Sequence, residues 1–231
     1  MVKENLTEIR ARIKDACLKS GRNTEDVRLI AVSKTKPAEM IREAFEAGQT
    51  EFGENKVQEM CAKEEELRDL PITWHLIGHL QKNKVRKAVS VAAMIHSVDT
   101  VELAEEIQKE ALRINKVQDI LLEVNVAAEE SKFGFRPEEV AGAAKAISQL
   151  PNVRLCGLMT VAPYTENPAE NSVYFAELRK LAVDIQSENK DNISVCCLSM
   201  GMSNDFEYAI AEGATMVRVG SLIFGERHYE K

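Results

Sequence analysis

At 231 residues, 45% hydrophobic and 29% charged, the chain has globular composition and is neither disordered nor collagen-like. The length suits one large domain spanning residues 1–231, since closed α/β barrels run past ~200 residues as single units. Thirty Lys and Arg against thirty-seven Asp and Glu give a formal charge of −7, which argues against a whole-protein nucleic-acid footprint.

In the opening segment Leu6, Ile9, Ile13 and Cys17 recur at helical spacing, and Gly21 marks its end. It has no apolar signal-peptide core, and Glu4, Glu8 and Asp15 disfavour a transit peptide. A buried strand follows at RLIAVS (28–33), then a helix opened by Pro37, striped with Met40, Ile41, Ala44 and Phe45 and stopped at Gly48. Further strand-like runs lie at 50–54, 72–78, 93–98, 119–126, 153–160, 193–199 and 215–220. Between them, Asp99 and Glu102 read as a capping box, Pro137 opens another helix, and Tyr174, Leu178, Leu181 and Ile185 mark a longer one. Ser203 to Glu212 reads as helix, Lys63 to Glu66 as a solvated helix face, and Lys82, Lys84, Arg86 and Lys87 as a helical basic patch. Eight strands alternating with helices imply parallel strands buried on both faces, hence a single (β/α)8 TIM-type barrel with an extra N-terminal helix. No apolar run approaches the ~20 residues that cross a bilayer. Five cysteines without a C-x-x-C pair read as reduced core thiols in a cytoplasmic protein.

In such a barrel, chemistry gathers at the C-terminal strand ends. In order these offer Lys34, Glu54 with Asn55, His75 with Gly78, Asn125, Met159, Ser199, and Arg218 with Gly220. A partly desolvated lysine at a barrel mouth can form a Schiff base, although a lysine that merely snorkels to solvent has the same spacing. SMGMSND (199–205) brings Gly201 and Ser203 to a strand–helix junction where backbone N–H groups bind phosphate; the plainer role for Ser203 is a helix cap. RVGSLIFG (218–225) supplies a second such turn, with Gly220 and Ser221. His75 alternates with Trp74 and Leu76, which fits a core histidine as well as a ligand. Met159, Met200 and Met202 fit packing, and no spacing marks a metal site.

VSKTKP (32–37), FGENKVQE (52–59), WHLIGHLQKNK (74–84), SKFGF (131–135), GLMT (157–160), LSMGMSND (198–205) and VRVGSLIFG (217–225) resemble the pyridoxal phosphate homeostasis protein family. That family is related to the N-terminal barrel of alanine racemase, and the likeness runs from about residue 3 to the end. The resemblance implies that pyridoxal 5′-phosphate (PLP) is held by Lys34 as an internal aldimine. Ser203, Gly220 and Ser221 would take its phosphate, with Gly201 in the turn. Arg218 would face the pyridine nitrogen, and Asn55, His75, Met159 and Ser199 would line the pocket.

A cationic donor at that nitrogen disfavours its protonation and weakens the electron sink. Racemisation also needs a second acid/base, which racemases draw from a C-terminal domain, and the chain stops at Lys231, soon after the eighth unit. The expectation is therefore a monomeric, non-catalytic PLP carrier in vitamin B6 homeostasis. PLP-dependent apo-enzymes are its class of partner, with no nucleic acid and no membrane. Two enzymes compete with that reading: an amino-acid racemase and a class I aldolase-like Schiff-base barrel. Exchange of the α-deuterium of L-alanine at enzymatic rates would mark the first. A borohydride adduct derived from a sugar phosphate would mark the second.

Overall fold

The structure, a computed structural model, describes residues 1–187 and 193–226. Eight parallel strands close a barrel in sequence order: β1 (Arg28–Val32), β2 (Glu51–Glu54), β3 (Thr73–Leu76), β4 (Met94–Val98), β5 (Gln118–Glu123), β6 (Val153–Met159), β7 (Ile193–Met202) and β8 (Met216–Val219). The ring closes where β8 pairs with β1, Ile30 opposite Arg218. Around it stand α1 (Val2–Lys19), α2 (Ala38–Glu46), α3 (Val57–Glu66), α4 (Val85–Val91), α5 (Val101–Arg113), α6 (Val140–Ile147), α7 (Ser172–Ser187) and α8 (Phe206–Ala211). A short α9 (Ser221–Phe224) follows β8. The helix α1 precedes the first strand and buries Leu6, Ile9, Ile13 and Cys17, the stripe its spacing marks.

Period-two alternation sorts each strand between two cores. On β1, Leu29 and Ala31 face the helices, whereas Ile30 faces the barrel axis and joins Met94, Leu121, Cys156, Met159, Cys197 and Met216 in an inner apolar plug. Outward from β3, the buried Trp74 packs on Phe52 of β2, ring centroids 6.0 Å apart, and donates its indole N–H to the Glu64 carboxylate. Strand β6 crosses β7 so closely at Gly157 that a Cβ there would stand 1.8 Å from the Cys197 carbonyl oxygen. Among the described residues, no helix is long and apolar enough to cross a membrane.

Several local expectations are corrected. Thr100, not Asp99, caps α5, accepting from the Leu103 N–H at 3.2 Å, because Asp99 is turned to His79 at 3.0 Å. Pro37 sits at the cap of α2, one position before its first turn. The basic patch enters through a 3-10 turn at Lys82–Lys84 and reaches α-helix only at Val85. Lys63 does not belong to a solvated face: it is buried, with its ammonium turned under β1 and β2. Strand β7 runs on to Met202, and α8 starts at Phe206, so Ser203 lies in the connecting turn and caps nothing. Asp205 takes the turn instead, accepting the Met202 N–H at 2.7 Å.

Candidate cofactor-binding site

At the C-terminal ends of β1, β7 and β8 lies a cavity of about 430 Å³ lined by Val32, Lys34, Lys36, Ile77, Tyr164, Met202, Ser203, Asn204, Arg218, Gly220, Ser221 and Gly225. It places an amine, a buried guanidinium and two serine hydroxyls around one space. The Ser203 hydroxyl accepts the Gly220 N–H at 3.3 Å, tying the turn after β7 to the turn after β8. Gly220 is packed so that a Cβ would meet the Val32 carbonyl oxygen at 3.0 Å.

The backbone that carries Lys34 is held from behind. Thr35 has φ +63°, a left-handed conformation that costs a β-branched residue roughly 1–3 kcal/mol. Its N–H donates to Glu59 Oε1 at 2.6 Å. Lys63 Nζ donates to that same oxygen at 2.7 Å, to Glu54 Oε1 at 2.7 Å and to the Ser33 carbonyl at 2.8 Å. The Ser33 hydroxyl donates to Glu54 Oε1 at 2.6 Å. Both neighbours of Lys34 are thereby pinned by one buried charge cluster. Burial raises the Glu54 pKa against the opposing pull of Lys63 and Ser33.

Arg218 forms the inner side of the cavity. Its Nη1 donates to Ser199 Oγ at 2.6 Å and its Nη2 to the Thr160 carbonyl at 2.7 Å. Burial lowers its pKa to about 10, partly offset by Glu123 and Asp205, which leaves it cationic at neutral pH. Glu123, at the end of β5, has its pKa raised to about 7 by burial and by Asp99, with Arg218 pulling the other way.

Of the residues the sequence singles out, Lys34, Ser203, Arg218, Gly220 and Ser221 are brought together on the cavity wall. Asn55, His75, Met159, Ser199 and Gly201 are not on that wall. Met159 belongs to the inner plug, and His75 and Ser199 point to the axis below the cavity. Gly201, at φ +88°, meets α8: a Cβ there would lie 2.5 Å from Ala209 Cβ, so its smallness serves packing. Asn55 lies beside Gly78, whose Cβ would fall 2.4 Å from the Asn55 carbonyl oxygen. Tyr164, 90% exposed at the rim, and Lys36 went unmarked, because they sit on loops where periodicity carries no information. His96 went unmarked too, although two-residue alternation from Met94 places it on the axis.

The family model described as alanine racemase, N-terminal domain, matches residues 4–228. The chain is 48% identical over 226 residues to the pyridoxal phosphate homeostasis protein of Aquifex aeolicus, covering 98% of each. It is 39% identical to the protein of the same name from Escherichia coli K12, covering 100% of this chain and 98% of that one. The structure of PipY from Synechococcus elongatus with PLP bound superposes with a TM-score of 0.86 at 40% identity, covering 97% of this chain and 100% of that one. Alanine racemase of Clostridium difficile shares the fold, with a TM-score of 0.70 at 16% identity over 57% of its length. The chain belongs to the pyridoxal phosphate homeostasis protein family, built on the N-terminal domain fold of alanine racemase.

Proposed function

We propose that the protein binds pyridoxal 5′-phosphate covalently and serves PLP homeostasis as a holder rather than a catalyst. The observation that carries this reading is the convergence of Lys34, Arg218, Ser203 and Ser221 on one cavity. These groups suit the cofactor's three recognisable parts. An amine condenses with an aldehyde and releases water, hydroxyls and glycine amides receive a phosphate, and a cationic donor meets an unprotonated ring nitrogen. The relatives named for PLP homeostasis and the PLP-bound PipY support the same assignment.

When bound, PLP supplies an electron sink, strongest when its ring nitrogen is protonated. Arg218, fixed by Ser199 and Thr160 and still cationic, has only N–H groups to offer and opposes that protonation. Lys34 supplies the anchoring amine, held by the pinned Ser33 and Thr35. With the exposed Tyr164 at its rim, the cavity admits the water and amines that release the ligand. On this reading the protein works as a cytoplasmic monomer and passes PLP to apo-enzymes; free thiols at Cys17, Cys61, Cys156, Cys196 and Cys197 suit a reducing compartment.

Borohydride reduction of the PLP-loaded protein should fix one pyridoxyl group on Lys34, and Lys34→Ala should lose the visible absorption. Absorption that persists unchanged in Lys34→Ala would reject this anchor. The holder assignment fails if the loaded protein exchanges the α-proton of alanine at ordinary enzymatic rates.

A further inference from the structure

Below the cavity, a polar chain crosses the barrel interior from Arg218 to the opposite mouth. Arg218 Nη1 stands 2.6 Å from Ser199 Oγ, which stands 2.9 Å from His96 Nδ1. His96 Nε2 stands 2.9 Å from His75 Nδ1, the two rings meeting edge to face. His75 Nε2 then faces Glu51 Oε2 at 3.0 Å, off the line of a well-aligned hydrogen bond but in electrostatic contact. Ser199, His96, His75 and Arg218 are all buried, whereas Glu51 lies at the edge of a second cavity at the N-terminal ends of the strands.

One arrangement of donors and acceptors suits both ends of this chain. A guanidinium only donates, so Ser199 Oγ accepts from Arg218, and in this arrangement its own proton goes to His96 Nδ1. His96 therefore carries its proton on Nε2 and gives it to His75 Nδ1. His75 in turn carries its proton on Nε2, directed at the Glu51 carboxylate. Deep burial, with the Arg218 charge nearby, holds the His96 pKa well below its ordinary value. In this arrangement each histidine accepts on one nitrogen and donates on the other. Of the two partners of Arg218, Thr160 contributes a backbone carbonyl that cannot rotate away, but Ser199 contributes a hydroxyl that can. Among the described residues, His96, backed by His75, is the acceptor that fixes where that hydroxyl points.

We propose that His96 and His75 are positioning residues for the cavity, keeping the Ser199 proton away from Arg218 so that the guanidinium holds one orientation toward a bound ring nitrogen. This rests on the PLP reading above. It assigns a role to two buried histidines that do not line the cavity.

The test compares wild type, His96→Phe, Ser199→Ala and the double variant, each loaded with PLP. Each single variant should shift the visible absorption band and speed PLP dissociation about tenfold, the factor that one lost hydrogen bond of ~1.4 kcal/mol gives. The double variant should behave like either single one, because both changes cut the same chain. A lower melting temperature with the band and dissociation rate unmoved in His96→Phe would overturn the inference, since it would reveal packing alone. Should His96→Phe not fold, Ser199→Ala, which removes one oxygen, decides by the same two readouts. Borohydride trapping in the same preparations keeps the two ideas apart. No pyridoxyl adduct on wild-type Lys34 would sink the PLP reading and this inference together. An adduct on wild type with unmoved variants would sink the inference alone.

Discussion

A half-buried carboxylate and a buried histidine push stability in opposite directions with pH. Glu123 has a folded pKa of about 7 against an ordinary 4.5, so the folded state binds more protons than the unfolded one between those values. Its contribution is fully present below pH 4.5 and lost as pH rises through 7. His96 does the reverse: burial keeps it neutral, so below its ordinary 6.5 the unfolded chain gains a proton that the folded chain refuses. Between pH 4.5 and 6.5 the two trends partly cancel. Removing Glu123 should expose the histidine trend. Without PLP, Glu123→Gln should be more stable than wild type at about pH 8, by at most about 3 kcal/mol at ~1.4 kcal/mol per pKa unit. The advantage should vanish near pH 4. Urea titrations across that range measure it, and an equal advantage at every pH would show that Glu123 does not titrate with folding.

At the scale of elements, β1, β2 and α3 meet on the cluster of Lys63, Glu54, Glu59 and Ser33. Replacing Lys63 with Met strands two carboxylates, one of them fully buried, and should cost about 3–5 kcal/mol in urea unfolding. Thr35→Gly should separate stability from function. Glycine relieves the left-handed strain and should leave the fold equally stable or up to ~1 kcal/mol more so, after its extra unfolded-state entropy is counted. It should also slow PLP capture by Lys34, followed as the growth of visible absorption. The elements themselves were legible in the sequence. All eight strands lie where alternation and turn residues place them, since a buried parallel strand leaves a continuous apolar run. What the sequence hid was charge inside. Lys63 stands in an acidic stretch that resembles a solvated helix face, and only the three-dimensional approach of α3 to β1 reveals its partners. His75 was legible only as a core histidine or a ligand, and its role depends on His96, twenty-one residues away. The cavity turns were legible because glycine and serine mark them. The start of α8 was not, because Ser203 looks like a cap whereas β7 runs on to Met202 and the helix begins only at Phe206.

A closed barrel exposes no strand edge, and the whole molecule depends on keeping it closed. At the seam between β6 and β7 the strands leave no room for a side chain at Gly157. The register shifts between Leu155 and Gly157, and the Cys197 carbonyl occupies the space a side chain would need. Gly157→Ala should therefore part the two strands and free two edges for pairing between molecules. The expected outcome is a sharp fall in soluble yield and rising light scattering on warming, checked against Gly142→Ala on α6, where a Cβ would meet nothing within 4 Å. Equal solubility of the two variants would show that the seam can relax.

Trp74 is the chain's one tryptophan, and it is packed on the outer face of β3 against Phe52 while the adjacent residue, His75, faces the axis. Sealed from water, its indole should fluoresce toward the blue, and the barrel walls hold it at a fixed distance from the cavity. PLP joined to an amine absorbs where indole emits, so a loaded cavity should drain Trp74's excited state by energy transfer. The fold thus carries its own optical gauge: the brightness of one residue reports, without any label, how much of the protein is carrying its cargo.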